Sequence, residues 1–245
     1  MPPADTIVVV IPAHDEAETI GAVVAQARRH VATIIVVDDG SGDATGACAG
    51  TAGAAVVTHR CNLGKAAALR SGFDYALRIG AQVVVTLDGD GQHDPDDIPR
   101  LVAAADQRPG ALVIGARRSR RRDAPRARYR ANRIADFWIS RAAGCRVVDS
   151  QSGFRVYPEA LLRSCRLPIA RGKGFVFESE ILIDAARFGY PLVTVPVEGR
   201  YPPGARKSHF RPVVDVCRIV RMVAWKIVSG DHFSVRTPAP RSETR

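Results

Sequence analysis

Two carboxylates separated by one glycine, Asp88 and Asp90, directly follow the apolar run Val83–Leu87. A short β-branched run of this kind predicts a buried strand. Alternate residues of a strand point the same way, so the two carboxylates can converge on one cation. Hard oxygen ligands suit Mg²⁺ or Mn²⁺ carrying a diphosphate, and flanking glycines allow a bulky group to approach the backbone. The segment therefore predicts a metal and diphosphate site, although an isolated Asp-Gly-Asp is more often a turn.

The elements that must position these acids alternate along the first half of the chain. Apolar, β-rich runs are separated by helical stretches, which predicts an α/β fold with an open, mostly parallel sheet. In such a sheet the functional loops gather at the carboxyl ends of the strands. The predicted strands are Ile7–Ile11, Ile34–Val37, Ala54–Thr58, Val83–Leu87 and Leu112–Gly115, and the predicted helices are Glu16–Arg29, Lys65–Ile79 and Asp96–Asp106.

The second half of the chain is less regular. Its predicted elements are an arginine-rich stretch (Arg117–Arg133), a helix (Ala131–Ala143), a polar loop (Asp149–Arg155), a helix (Glu178–Phe188), a strand (Leu192–Val197) and a last helix (Pro212–Val228). We expect one compact domain over residues 1–235, with halves at about 1–115 and 116–235. A polar, disordered tail is expected at residues 236–245.

The last predicted helix is amphipathic, because its charged residues fall on one arc and leave a broad apolar face. The charged set is Arg211, Asp215, Arg218, Arg221 and Lys226, and the apolar set includes Val214, Val220, Trp225 and Ile227. The apolar face either packs on the core, which we favour, or lies in the headgroup region of an anionic bilayer.

Composition narrows the classes of partner. The formal net charge of +10 is carried largely by arginine and suits nucleotides, phospholipid surfaces or nucleic acid. Aromatic residues are few and show no stacking pattern, which argues against single-stranded nucleic acid. Five cysteines without metal-site spacing predict reduced thiols and a cytoplasmic location. No secretory leader and no apolar run of ~18 residues is recognised, so only a peripheral membrane contact is left open.

Acidic motifs also follow the first two predicted strands. Pro12-Ala13-His14-Asp15-Glu16 places carboxylates where a dinucleotide-binding Rossmann domain has glycines, and Asp38-Asp39-Gly40-Ser41 follows the second strand. Carboxylates at these positions suit hydrogen bonds to a nucleobase N–H and to ribose hydroxyls. The alternative is a simple turn in which Ser41 or Asp43 caps the next helix.

Five motifs in order resemble the family 2 glycosyltransferases of GT-A fold, most closely their polyprenyl- or dolichyl-phosphate mannosyl- and glucosyltransferase branch. They are Pro12–Glu16, Asp38–Ser41, Asn62-Leu63-Gly64-Lys65, Asp88-Gly89-Asp90-Gly91-Gln92 and Asp149-Ser150-Gln151-Ser152-Gly153-Phe154-Arg155. The chain departs from the family where His14 or Asp15 replaces a frequent asparagine. It also has Gly204–His209 in place of Gly-x-Ser-Lys, and we expect none of the C-terminal transmembrane helices often found in the branch.

The resemblance implies a donor half that binds a nucleotide sugar, either UDP- or GDP-linked. Its nucleotide would be held by Pro12, Ala13, Asp15, Glu16, Asp38, Asp39, Ser41, Lys65 and Asp88. Asp88 and Asp90 would serve Mg²⁺ or Mn²⁺, with Gln92 nearby. The implied reaction is an inverting transfer of a hexose, mannose or glucose, to a polyprenyl or dolichyl phosphate.

The acceptor side leaves two alternatives. A phosphate monoester with a second pKa of about 6 is already a competent oxyanion, whereas a hydroxyl acceptor on a soluble metabolite or glycan needs a general base. The expected acceptor contacts are Arg117, Arg133, Gln151, Ser152, Arg155 and Lys207. Glu178 is either an acid at a helix start or that general base.

Two remoter alternatives remain. A nucleotidyltransferase would need a glycine-rich, basic phosphate loop after the first strand, where this chain has acids. A nucleic-acid-binding module would explain the arginines but not the strand-end carboxylates. The identity of the sugar, the choice of UDP or GDP and of Mg²⁺ or Mn²⁺, and the oligomeric state stay open at this level.

Overall fold

The computed structural model describes residues 3, 6–117, 126–164, 175–199 and 212–228. Within these residues seven strands form one mixed sheet in the order β3-β2-β1-β4-β6-β5-β7. The strands are β1 (Ile7–Ala13), β2 (Thr33–Asp38), β3 (Ala55–Thr58), β4 (Val83–Thr86), β5 (Leu112–Arg117), β6 (Arg155–Pro158) and β7 (Leu192–Val197). The pairs β1/β2, β2/β3, β1/β4 and β5/β7 are parallel, so the mostly parallel sheet predicted from the sequence is confirmed.

Strand β6 corrects the sequence prediction. The sequence predicts a loop over Asp149–Arg155 and no strand directly after it. Arg155–Pro158 instead lies antiparallel between β4 and β5. Four residues that begin with an arginine carry no recognisable strand pattern. The insertion brings the segment just before Arg155 beside the ends of β4 and β5.

The helices cover both faces of the sheet. They are α1 (Ile20–Ala27), α2 (Thr45–Thr51), α3 (Lys65–Arg78), α4 (Ile98–Gln107), α5 (Arg126–Ala143), α6 (Glu159–Ser164), α7 (Phe175–Arg187) and α8 (Pro212–Val228). Alternate residues of β1 enter different cores: Val8 and Val10 pack on one side, and Val9 and Ile11 on the other. A strand buried on both faces reads as a continuous apolar run, which is why these strands are recognisable from sequence.

Helix α1 begins at Ile20 and not at Glu16 as the sequence predicts. Asp15 has a φ of 55°, outside the helical region. The amides of Asp15, Glu16 and Ala17 donate to side chains of the segment that follows β2, at 3.0, 2.7 and 3.1 Å. These amides therefore have partners outside a helix, and the chain forms a loop beside the end of β1.

In helix α8 two residues lie on the side of the helix opposite to the one predicted. Lys226, predicted on the polar arc, is buried, and its Nζ pairs with Asp184 and lies 3.3 Å from Glu180 Oε1, both on α7. Trp225, predicted on the core-facing side, is 57% exposed. Helical periodicity does not reveal that two acids of a neighbouring helix neutralise the lysine. The side chains of Val214, Asp215 and Ile227, and all of Arg211, lie outside the described residues.

None of the helices in the described part of the chain is both long and apolar enough to span a bilayer.

Candidate active site

Two loops at the carboxyl ends of β1 and β2 are fastened to each other by side chains. Ser41 Oγ accepts the Asp15 amide at 3.0 Å, and Asp15 Oδ1 accepts the Gly42 amide at 2.8 Å. Asp38 is buried, and its Oδ1 accepts the Ser41 amide at 3.0 Å. The structure thus brings the predicted donor residues Pro12, Ala13, Asp15, Glu16, Asp38 and Ser41 to neighbouring positions at one edge of the sheet.

Asp39 anchors the loop that leads into α3. Its Oδ1 accepts the Leu63 amide at 3.0 Å and lies 2.6 Å from His59 Nδ1, and its Oδ2 accepts the Gly64 amide at 2.7 Å. The carboxylate is buried. Asp39 therefore has a structural role that sequence reasoning missed, and a nucleobase contact by Asp39 stays a prediction. His59 was also missed, because no local pattern pairs it with Asp39.

The centre of the site is a lysine held between two acids. Lys65 is the first residue of α3, and its Nζ lies 2.7 Å from Asp88 Oδ1 and 3.1 Å from Glu178 Oε2. Asp88 follows β4, and Glu178 lies in the first turn of α7. The contact brings the predicted donor and metal residues together with the predicted acceptor-side acid.

The charges around this lysine shift three ionisation equilibria. Burial alone would lower the pKa of Lys65, but the carboxylates of Asp88 and Glu178 raise it. Burial would raise the pKa of Asp88, but the nearby cations, Lys65 foremost, lower it. Burial and the charge of Asp88 raise the pKa of Asp90 to about 6. Two carboxylates close enough to repel each other are a natural site for a cation.

The residues present fit a hydrated divalent cation bound together with a diphosphate. Within the described ranges, no group of three or more His, Cys, Asp or Glu side chains is placed to hold a metal ion by itself. Mg²⁺ commonly takes one or two carboxylates and completes its octahedron with phosphate oxygens and water. Asp88 and Asp90 match that requirement. The Gln92 amide donates to Asp90 Oδ1 at 3.0 Å, while metal ligation by the buried Gln92 side chain stays a prediction.

His93 is a buried neighbour of the two acids. Its ring lies 5.3 Å from that of Phe154, and burial lowers its pKa to about 4. The imidazole is therefore neutral near pH 7, and its buried Nδ1 has no hydrogen-bond partner. The interpretation of His93 as a structural residue rather than a metal ligand stays a prediction.

Gly153 is required by the close approach of its backbone to Asp88. A Cβ at this position would lie 2.7 Å from both carboxylate oxygens of Asp88. The carbonyl of Gly153 accepts Thr86 Oγ1 at 2.8 Å, which fixes the loop against the end of β4. The backbone around Gly153 thus packs directly against the carboxylate of Asp88.

Arg117 and Asp149 form a buried, two-pronged ion pair. Arg117 Nε and Nη2 donate to Asp149 Oδ2 and Oδ1 at 3.0 Å each, and the Arg117 amide also donates to Oδ2 at 3.0 Å. Asp149 adopts a φ of 53°. The guanidinium of Arg117 thus already neutralises a buried carboxylate. A phosphate contact by Arg117 remains a proposal.

Two predicted acceptor residues are structural. Arg155 is fully buried and donates to the carbonyls of Ser150, Ser152 and Glu178 at 2.7–2.8 Å. Ser152 is equally buried and donates to the carbonyl of Gly115 at 2.6 Å. These groups hold the loop 150–155 in place, and the predicted contacts of Arg155 and Ser152 with the acceptor stay predictions.

The remaining acceptor residues have different positions. Gln151 is buried, and its Nε2 donates to Ser150 Oγ at 3.1 Å while its Oε1 has no partner. Glu178 Oε1 is likewise buried without a hydrogen-bond partner. Arg133 is exposed on α5, and Lys207 lies outside the described residues. The two oxygens, Gln151 Oε1 and Glu178 Oε1, are buried without a hydrogen-bond partner. They indicate that a ligand bound on this side of the site can donate hydrogen bonds to them.

Comparisons with known proteins give matches over most of the chain. Residues 8–165 match the family described as glycosyl transferase family 2. The chain is 33% identical over 207 residues to the polyprenol monophosphomannose synthase of Mycolicibacterium smegmatis, covering 80% of this chain and 77% of that protein. It is 31% identical over 201 residues to the undecaprenyl-phosphate mannosyltransferase of Micrococcus luteus, covering 78% and 82% of the two chains.

A solved structure is similar over most of the chain. It is the glucosyl-3-phosphoglycerate synthase of Mycobacterium tuberculosis in complex with Mn²⁺, UDP-glucose and phosphoglyceric acid. The TM-score is 0.67 at 28% sequence identity, and the alignment covers 92% of this chain and 79% of that one.

Proposed function

This chain belongs to glycosyl transferase family 2 and has the GT-A fold, and on that premise we propose that it transfers a hexose from a nucleotide sugar to a polyprenyl phosphate. The hexose is mannose or glucose, and the nucleotide is UDP or GDP. The observation that carries the proposal is the Lys65 ammonium between Asp88 and Glu178, because it joins the donor side and the acceptor side in one charged centre.

The donor lies over the carboxyl ends of β1, β2 and β4. The fastened loops 12–16 and 38–45 offer carboxylates to the base and ribose, while their amides hold the two loops together. Lys65 is near enough to Asp88 to exchange that partner for a phosphate oxygen of the donor. An ammonium interacts with either oxygen as a point charge, so this exchange needs little rearrangement.

Asp88 and Asp90 would hold Mg²⁺ or Mn²⁺ in the loaded enzyme. The bound cation would neutralise the negative charge that develops on the departing diphosphate. Solved structures of the mycobacterial glucosyl-3-phosphoglycerate synthase contain Mn²⁺ with UDP, or Mg²⁺ with UDP, which supports this assignment.

Transfer forms a bond between an acceptor oxygen and the anomeric carbon and breaks the bond from that carbon to the diphosphate, which leaves with the electron pair. A phosphate dianion carries no proton that must be removed, so Glu178 can remain paired with Lys65 throughout. Relatives named for polyprenol and undecaprenyl-phosphate substrates support a lipid phosphate as the acceptor. The exposed Arg133 would provide positive charge for the acceptor phosphate, whereas the charge of the buried Arg117 is balanced by Asp149.

A second candidate function has a hydroxyl acceptor on a soluble phosphorylated metabolite. Two observations favour it: Glu178 Oε1 is buried without a partner, and the similar glucosyl-3-phosphoglycerate synthase has been crystallised with phosphoglyceric acid. In this case Glu178 would take the proton of the acceptor hydroxyl.

The two candidates are separated by Glu178→Gln and Arg133→Ala, assayed on both acceptor types. With a short polyprenyl phosphate, Glu178→Gln retains much of its kcat, and Arg133→Ala raises the acceptor KM about tenfold, as expected for a charge-assisted contact. With a hydroxyl acceptor, Glu178→Gln loses roughly 10²-fold in kcat. A large Glu178 defect together with an unaffected Arg133 variant would reject the lipid-phosphate acceptor.

A further inference from the structure

Helix α5 exposes an apolar surface away from the core. Its buried face comprises Ala131, Ala135, Ile139 and Ala142, and the adjoining face exposes Ile134 (48%), Phe137 (64%) and Trp138 (36%). The rings of Phe137 and Trp138 contact each other edge to face, with centroids 5.5 Å apart. We refer to Ile134, Phe137 and Trp138 as the aromatic patch. Three large apolar side chains exposed together are uncommon on a protein surface that contacts only water.

Arginines flank the aromatic patch on the same face. At roughly 100° per residue, Arg130, Ile134, Phe137, Trp138 and Arg141 fall within an arc of about 100°. Both arginines are exposed. The sequence of α5 contains one acid, Asp136, which is turned to the protein, where its Oδ1 accepts the Ser150 amide and hydroxyl at 2.9 and 2.6 Å. The exposed face therefore combines apolar and positive side chains without a negative one.

Helix α8 packs against α5 and repeats this combination. Arg218, Arg221 and Trp225 are exposed and lie within an arc of roughly 60°. Amphipathic helices that lie in a bilayer interface present aromatic and apolar groups to the acyl boundary and arginines to lipid phosphates. Two packed helices of this type are typical of a surface that lies on a membrane.

We propose that the exposed faces of α5 and α8 dock on an anionic phospholipid surface, with the aromatic patch inserted at the headgroup level. The proposal rests on the lipid-phosphate acceptor proposed above. Charge favours lipid over a second copy of this chain, because a symmetric contact would bring like-charged arginines together. Exposed Ile, Phe and Trp favour a partner with an apolar interior over a purely ionic one.

The docked orientation would place the reaction centre beside the headgroups. Asp136 of α5 holds Ser150, and the adjacent Asp149 holds Arg117 at the end of β5. The helix that would lie on the membrane is thus fixed to the acceptor side of the site. A polyprenyl phosphate could then reach the site with its chain still in the bilayer.

The test is vesicle binding in the absence of donor. Wild-type protein is expected to cosediment with phosphatidylcholine–phosphatidylglycerol vesicles, more weakly with phosphatidylcholine alone, and less in high salt. The double variant Phe137→Gln/Trp138→Gln should lose at least tenfold in partition coefficient. Ile79→Gln is the matched control, because Ile79 is a 49% exposed isoleucine at the far end of α3, and it should bind like wild type.

Tryptophan fluorescence gives a second readout that needs no variant. The chain has two tryptophans, Trp138 and Trp225, and both lie on the proposed surface. Anionic vesicles should shift their emission to the blue, and brominated lipids should quench it. This measurement keeps the proposal testable if the double variant fails to fold.

Several outcomes would overturn the docking surface. They are absence of wild-type binding to the anionic vesicles, equal binding by the double variant, or a wild-type dimer that Phe137→Gln/Trp138→Gln converts to monomer in light scattering. Transfer to a short polyprenyl phosphate without vesicles is measured separately. Vesicle binding without that transfer would reject the proposed function alone, and transfer without vesicle binding would reject the docking surface alone.

Discussion

Lys65 Nζ lies 2.7 Å from Asp88 Oδ1, so a lysine at the start of α3 neutralises an acid at the end of β4. The same nitrogen lies 3.1 Å from Glu178 Oε2. One cation thus pairs with two acids from opposite sides of the site. The behaviour of the site should depend on this lysine more than on any single acid.

Replacement of Lys65 by Met should shift the acid limb of the pH profile of kcat/KM to higher pH. Without the ammonium, burial and repulsion raise the pKa of Asp88, so a higher pH is needed to ionise it. We also expect a loss of about 10²-fold or more in kcat/KM at neutral pH. Lys65→Arg keeps the charge and should keep the acid limb near its wild-type position. An unshifted limb in Lys65→Met would show that Asp88 ionisation does not depend on Lys65.

Asp90 should destabilise the metal-free protein above pH 6. Its pKa is about 6 in the folded state against an ordinary 3.8, so between these values the folded state holds more protons and stability falls as pH rises. Asp90→Asn removes this penalty and should raise Tm in EDTA by about 2–6 °C at pH 8, with little change at pH 4. Scanning calorimetry at both pH values checks the prediction. Equal effects at pH 4 and pH 8 would contradict it.

Asp39→Ala should weaken nucleotide binding and also loosen the loop before α3. The variant leaves the amides of Leu63 and Gly64 without their carboxylate partner, at a cost of ~1–3 kcal/mol. His59→Ala is the control, because it removes one partner of Asp39 and leaves the carboxylate in place. Calorimetric titration should show weaker UDP or GDP binding for Asp39→Ala than for His59→Ala. Equal affinity in the two variants would limit Asp39 to loop anchoring.

Arg117→Met should destabilise the fold by about 3–5 kcal/mol, because Asp149 is left buried and unpaired. Adding Asp149→Asn to Arg117→Met removes the buried, unpaired carboxylate charge and should restore part of the lost stability. Chemical denaturation of the two single variants and the double variant measures the coupling. Additive losses would mean that the two side chains do not stabilise each other.

The fold was predictable where strands are buried on both faces. Val83–Leu87 and the other apolar runs of the first half indicate parallel strands. The observed strands begin and end within two residues of the predicted limits. Strand β6 was not predictable, because Arg155–Pro158 is short and Arg155 looks polar. Its charge is satisfied by carbonyls that only the tertiary structure brings to it.

The site was predictable as a set of residue types but not as a set of contacts. Sequence reasoning selects Asp88, Lys65 and Glu178 from separate motifs, yet the ion pairs that join them arise between elements distant along the chain. The Arg117–Asp149 pair arises in the same way. Motif order indicates which side chains share an edge of the sheet, whereas their partners depend on packing.

The most direct test of the central claim is transfer by the purified protein with labelled UDP- and GDP-hexoses, a short polyprenyl phosphate, phosphoglyceric acid and Mn²⁺, followed by mass spectrometry. We expect a polyprenyl phosphate that carries one hexose, formed from one of these donors. Its formation should stop in excess EDTA and in an Asp90→Ala variant whose circular dichroism matches wild type. Undiminished transfer in EDTA, or hexose found only on a soluble hydroxyl acceptor such as phosphoglyceric acid, would contradict the account.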